Sequence, residues 1–285
     1  MNRSACPIGA DRLGSHSPIG VYDSGVGGLS VWREIRAQLP FENTIYIADQ
    51  AHIPYGPRPA EEIRRYAVAI AGLLIELHAK LIVVACNTAS GAALQTLRVT
   101  FPDVPFVGME PAVKPAAEQT RAGVVGVIAT PTTFEGEPFR RLADRFGQDV
   151  SIHTRTCPGL VELIETGSVD STEIRSLLRD CLDPLLALGI DELVLGCTHY
   201  PLARTAIAEI VGPEVTLIDP APAVARQVRR VLTGACALTT SSEPPRHRFI
   251  TTGPPAHLAA MIRQLIAVEV EVESAVWQGD RLRIG

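Results

Sequence analysis

The chain has 285 residues, of which 46% are hydrophobic and 20% charged, so it can bury a substantial core and is no disordered polymer. That length suits two domains of ordinary size. A formal net charge of -5 with no long basic run argues against a partner bound through phosphates, and no nucleic acid is expected.

The amino terminus, MNRSACPIGADRLGSHSP, has no apolar core of the kind a signal peptide needs and predicts a mobile tail over 1–18. Short β-branched runs then read as buried strands: IGVY from Ile19, TIYIA from Thr44, LIVVA from Leu81, PFVGM from Pro105 and GVVGVIA from Gly123. ELVLG from Glu192 and VTLID from Val215 continue the series. Amphipathic segments such as LSVWREIRAQL and STEIRSLLRDCLDPLLALG lie between them. This alternation predicts an α/β fold of two similar domains, each a parallel-rich sheet flanked by helices, with the active site in the cleft between them.

The link between the halves is expected near MEPAVKPAAEQ (Met109 to Gln119), with a second crossing near DPAPAVA (Asp219 to Ala225). The first domain then comprises 19–112 plus 222–285 and carries Asp23 and Cys86. The second comprises 113–221 and carries Glu165, Cys197 and His199. The most apolar segment, Ala67 to Leu77, includes Glu76 and is too short to span a bilayer, so no membrane contact is expected and the location is read as cytoplasmic.

Ligands of parallel sheets gather beyond the carboxyl ends of the strands. Four strand-end loops there are polar: DSGVGG (Asp23 to Gly28), CNTAS (Cys86 to Ser90), TPTT (Thr130 to Thr133) and CTHY (Cys197 to Tyr200). Similar intervals separate Asp23 from Cys86 and Thr130 from Cys197, which hints at an internal duplication. Two similar halves would set Cys86 and Cys197 facing each other across a cleft.

The six cysteines include no C-x-x-C pair and no zinc-like Cys/His spacing, and without a secretion signal they are expected to be reduced. Cys181 and Cys236 read as small buried hydrophobes, and Cys6 as exposed and incidental. Cys157, ahead of Pro158 at a helix start, stays open between roles. Cys86 and Cys197 differ because each directly follows a buried strand, where a helix amino terminus favours thiolate over thiol. Asn87, Thr88, Thr198 and His199 beside them suit the binding of a carboxylate.

Asp23 ends a strand that should be buried on both faces, and a carboxylate there needs partners or a task. Its plainer reading is a cap on the helix that begins near Gly28. DSGVGG resembles a glycine-rich phosphate loop but has neither G-x-G-x-x-G nor a Walker lysine. His199 titrates near neutrality and could manage the proton of Cys197. Glu165 is by sequence alone a charge on a helix. Two thiols on opposite walls suit removal of a proton from a tetrahedral carbon and its return to the other face: racemisation or epimerisation with no cofactor. Two other readings are a cleft that binds a small molecule without turnover and a Cys/His metal hydrolase. The second lacks three well-spaced ligands, and no metal is expected.

At these residues the sequence resembles the glutamate racemases of the aspartate/glutamate racemase superfamily. The likeness is carried in order by IGVYDSGVGGLSV, ADQAHIPYG, ACNTAS, GVIATPTT, CPGLVELIE, LGCTHYPL and IDPA; TTGPP near the end fits more loosely. The resemblance implies that Cys86 and Cys197 are two catalytic bases, Asp23 assisting Cys86, and His199 with Glu165 assisting Cys197. It implies that Cys197 deprotonates L-glutamate and Cys86 D-glutamate. It assigns Asp23, Ser24, Pro54, Tyr55, Gly56, Asn87, Thr88, Thr130, Thr133, Thr198 and His199 to substrate binding. It further implies a homodimer that supplies D-glutamate for peptidoglycan. Aspartate is the competing substrate within the superfamily. FEGEPF (Phe134 to Phe139) departs from the family pattern and puts the local loop shape in question.

Overall fold

Strand β1 (Ile19–Asp23) is buried along its whole length, because a strand with neighbours on both edges and helices on both faces touches no water. In the computed structural model, residues 14–285 are described, so most of the expected tail over 1–18, with Cys6, lies outside the described residues. The other predicted runs form β2 (Thr44–Ala48), β3 (Leu81–Val84), β4 (Phe106–Gly108) and β5 (Val124–Ala129). Further along come β6 (Ser151–Arg155), β7 (Glu192–Gly196) and β8 (Thr216–Ile218). The closing region adds β9 (His247–Thr251), β10 (Val272–Gln278) and β11 (Arg281–Ile284). Strand β6 is exposed or half-buried throughout, and this is why no apolar run announces it.

The helices are α1 (Leu29–Gln38), α2 (Ala60–Glu76), α3 (Asn87–Thr100), α4 (Val113–Gln119), α5 (Pro131–Glu135) and α6 (Glu137–Phe146). They continue with α7 (Leu160–Glu165), α8 (Thr172–Leu186), α9 (Arg204–Val211), α10 (Ala221–Gly234) and α11 (Pro255–Ile266). The FEGEPF stretch is not a loop. It spans the end of α5 and the start of α6, divided where Gly136 is extended at φ -66 and ψ 139. The region expected to link the halves carries α4, and the return crossing opens α10, which packs on α1.

The strands form two sheets, ordered β11-β10-β9-β2-β1-β3-β4 and β6-β5-β7-β8, and all pairings but β10 with β11 are parallel. The expected α/β class with parallel-rich sheets is what the chain adopts. Register explains the matching intervals in the sequence. Tyr22 pairs with Val84, so Asp23 and the chain leading to Cys86 leave the first sheet side by side. Ala129 pairs with Gly196, so Thr130 and Cys197 leave the second sheet in the same way. Beneath these ends, Trp32 meets Phe249 edge-on at 5.1 Å between ring centres, tying α1 to β9.

Candidate active site

A cavity of about 180 Å3 opens where the strand-end loops of the two sheets meet. Ser24, Cys86, Asn87 and Thr88 line it from the first sheet, and Thr130, Cys197, Thr198 and His199 from the second. The loop after β2 contributes Pro54, Tyr55 and Gly56. Thr88 and Thr130 join the two sets through hydroxyls 2.9 Å apart. Thr133 is not among the lining residues; its hydroxyl lies 2.9 Å from that of Thr130 and steadies it from behind.

Cys86 and Cys197 are the free thiols among the described cysteines, and both are buried. Cys86 is the N-cap of α3: its sulfur accepts the N–H of Ala89 at 3.4 Å, and Ser24 Oγ lies 3.9 Å away. Burial first, and the Asp23 carboxylate next, push the Cys86 thiol above its usual value. Cys197 Sγ faces His199 Nδ1 at 3.8 Å, and His199 Nε2 lies 2.7 Å from Glu165 Oε1. Burial pulls the His199 imidazole down, yet its contacts with Cys197 and Glu165 outweigh that and raise it well above its ordinary value. Burial also opposes charge on Glu165, but His199, the Val26 N–H and the Gln50 amide hold its carboxyl below the usual range.

Asp23 sits behind the wall rather than on it. Its carboxylate accepts the Gly25 N–H at 3.1 Å and the Thr198 hydroxyl at 3.2 Å. Helix α1 begins at Leu29 with no side-chain cap, so the capping role considered for Asp23 is not the one it takes. Burial raises its carboxyl, against the pull of His199 and the backbone N–H groups of Gly25 and Gly28.

The glycines of DSGVGG owe their presence to the same cluster. A Cβ on Gly25 would stand 2.0 Å from Glu165 Oε1, and one on Gly27 would stand 2.5 Å from His199 Nδ1. No phosphate is needed to explain them. The sequence held no sign of this, since Glu165 and His199 lie far along the chain.

Asn87 is 5% exposed, lines the cavity, and has no partner for either its amide nitrogen or its oxygen. A buried unpaired amide costs on the order of 1–3 kcal/mol. An α-amino acid would relieve it, its carboxylate accepting from the NH2 group and its ammonium donating to the oxygen.

Three cysteine expectations need correction. Cys157 and Cys181 are joined in a disulfide, with Cα atoms 5.6 Å apart and a sequence separation of 24. Sequence spacing gave no warning, because the contact is made only when α8 packs beside the turn that starts α7. Cys157 lines the cavity together with Pro158, Gly159, Val161 and Glu162, none of which had been assigned a role. Cys236 is exposed at the end of α10 and not a core residue.

Fold and site together define an α/β enzyme with a small cleft at the strand ends, its largely apolar wall carrying two thiols and a few polar groups. The chain belongs to the Asp/Glu/Hydantoin racemase family, whose pattern matches residues 19–228, and it is an isomerase of that kind. Glutamate racemase from Pseudomonas aeruginosa is 50% identical over 244 residues, covering 86% of this chain and 92% of that protein. Among solved structures, glutamate racemase RacE1 from Bacillus anthracis superposes with a TM-score of 0.84 at 33% identity, over 94% of this chain and 99% of that one. Escherichia coli glutamate racemase, solved with L-glutamate and the activator UDP-MurNAc-Ala, gives 0.79 at 32% identity, over 92% and 99% of the two chains. The resemblance read from the sequence motifs is borne out. Among the described residues no helix is long and apolar enough to cross a membrane.

Proposed function

We propose that this chain interconverts L- and D-glutamate through two opposed cysteine bases, without a cofactor, and so supplies D-glutamate for peptidoglycan in the cytoplasm. The observation that carries the reading is that two free, buried thiols line one cavity, Cys197 facing His199 and Cys86 lying within the influence of the Asp23 charge. The glutamate-bound relative supports the choice of substrate.

In the L-to-D direction the thiolate of Cys197 takes the α-proton, and its new S–H bond forms as the C–H bond breaks. The electron pair spreads into the substrate carboxylate, held by Asn87, Thr88 and Thr198. The Cys86 thiol then delivers its proton to the opposite face, ending as thiolate. Solvent exchange returns both sulfurs to their starting states. His199, kept cationic by Glu165, stabilises the thiolate of Cys197. Asp23 acts on Cys86 in the opposite sense: its carboxylate disfavours the thiolate and so keeps on that sulfur the proton it is to deliver. Thr130, Pro54, Tyr55 and Gly56 shape the wall that receives the side chain.

Optical rotation of purified protein with L-glutamate, D-glutamate and L-aspartate tests this. Decay of both glutamate signals, and their persistence in Cys86→Ala and Cys197→Ala, is expected. Faster turnover of aspartate would overturn the substrate assignment, and full activity in either cysteine variant would overturn the mechanism.

A further inference from the structure

The carboxylate of Glu165 is held from more than one side, and one of its holders, Gln50, is itself held by the loosely matching TTGPP segment. Thr251 ends β9, which pairs in parallel with β2 so that Thr251 stands opposite Ala48. Its hydroxyl oxygen accepts the Gly253 N–H at 2.9 Å, so the hydroxyl proton is free to go elsewhere. It goes to Gln50 Oε1, 2.8 Å away. With that oxygen occupied, the amide can turn only its NH2 group toward Glu165, and Gln50 Nε2 donates to Glu165 Oε2 at 3.1 Å. The other oxygen, Oε1, is taken by the Val26 N–H at 2.6 Å and by His199. The packing leaves the amide little freedom, since a Cβ on Gly253 would stand 2.9 Å from Gln50 Cβ. Thr251 has no exposed surface. From α11, His257 Nε2 lies 2.9 Å from the backbone oxygen of Glu165 and anchors the end of α7.

We propose that Gln50 and Thr251 are positioning residues for the Cys197 half of the reaction: Thr251 fixes which way the Gln50 amide faces, and Gln50 fixes the Glu165 carboxylate against His199. The closing segment thereby reaches a thiol it does not touch, through Gln50, Glu165 and His199. An amide free to flip would turn its oxygen toward a carboxylate, so the orientation has to be enforced. This inference rests on the proposal that Cys197, His199 and Glu165 act together.

The test compares Thr251→Val, which keeps shape and loses the hydroxyl, with Thr251→Ser, which keeps the hydroxyl, and with Gln50→Ala. Removing the amide that holds the charged Glu165 in Gln50→Ala, or freeing it to turn in Thr251→Val, should lower kcat roughly tenfold or more, with KM within about twofold of wild type. Thr251→Ser should restore kcat. The primary isotope effect from α-deuterated substrate should rise more for L-glutamate, deprotonated by Cys197, than for D-glutamate. A purely structural role would move neither that asymmetry nor its rescue by serine. Unchanged kcat in Gln50→Ala, a loss borne by KM, or equal isotope effects from both enantiomers would overturn the proposal. Glu165→Gln is run alongside: full activity in that variant would overturn the underlying reading, and this inference with it.

Discussion

Glu165 Oε1 lies 2.7 Å from His199 Nε2 although the two residues come from different elements 34 positions apart. Against the pull of burial, Cys197 and then Glu165 favour the charged form of His199 and raise its imidazole well above its ordinary value. Glu165→Gln removes the charge and lets the imidazole fall toward its usual value near 6.5. The expected result is a loss of about a hundredfold in kcat, with the alkaline limb of the pH profile moved to lower pH. Steady-state kinetics from acid to alkaline pH checks both.

The same pair makes a stability prediction. His199 has a raised folded value, so its contribution is complete below 6.5 and is lost as pH rises through that folded value. Glu165 has a depressed folded value, so its contribution is complete above 4.5 and is lost as pH falls. The drop in thermal midpoint on Glu165→Gln should therefore be largest between those two values. Calorimetry at several pH values reads this directly.

Gly25→Ala should cripple activity while leaving a folded protein. The new methyl would meet Glu165 Oε1 at 2.0 Å and Ile53 Cδ1 at 2.4 Å, forcing the carboxylate off His199. A loss of at least about tenfold in kcat is expected. Gly72→Ala is the control: it lies within α2 with nothing within 4 Å, and should stabilise by about 0.5–1 kcal/mol at unchanged rate.

Asp23→Asn should trade activity for stability. Asparagine can still accept the Gly25 N–H and can donate to the Thr198 oxygen, so packing survives. Because burial raises the folded value of Asp23, the wild type loses stability as pH climbs from its ordinary 3.8 through that raised value. The two proteins should melt alike near the lower end, and the variant should melt higher at neutral pH. Its racemisation rate should fall roughly tenfold or more.

The Cys157–Cys181 link closes a loop with a sequence separation of 24. Chain-entropy arguments put its stabilisation at about 3 kcal/mol. Cys181→Ser should lower the melting temperature, and the same fall should follow reduction of the wild type. Peptide mapping without reductant should recover the two cysteines in one cross-linked fragment.

Much of this is legible in the amino-acid sequence. Cys86 and Cys197 stood out because each ends an unbroken apolar run, and a buried parallel strand can only write itself that way. Asp23 stood out for the same reason. The strands that escaped were those without such runs: β6, at an exposed edge, and β9 to β11, where alternating or charged residues mask the pattern. Glu165 looked like any helical charge, since only folding brings α7 under His199. The glycines at 25 and 27 suggested a phosphate loop because spacing along the chain cannot say what presses on a missing side chain. The disulfide and the Thr251–Gln50 contact were hidden alike, both being made between distant segments.

The central claim is that two different sulfurs serve the two faces of one carbon. Racemisation of L-glutamate in deuterated water, sampled early and analysed by mass spectrometry of the separated enantiomers, tests it most directly. The account predicts deuterium at the α-carbon of nearly every D-glutamate formed, while the remaining L-glutamate still carries protium. Deuterium entering recovered L-glutamate as fast as D-glutamate appears, or D-glutamate that keeps the original protium, would mean a single base and would contradict it.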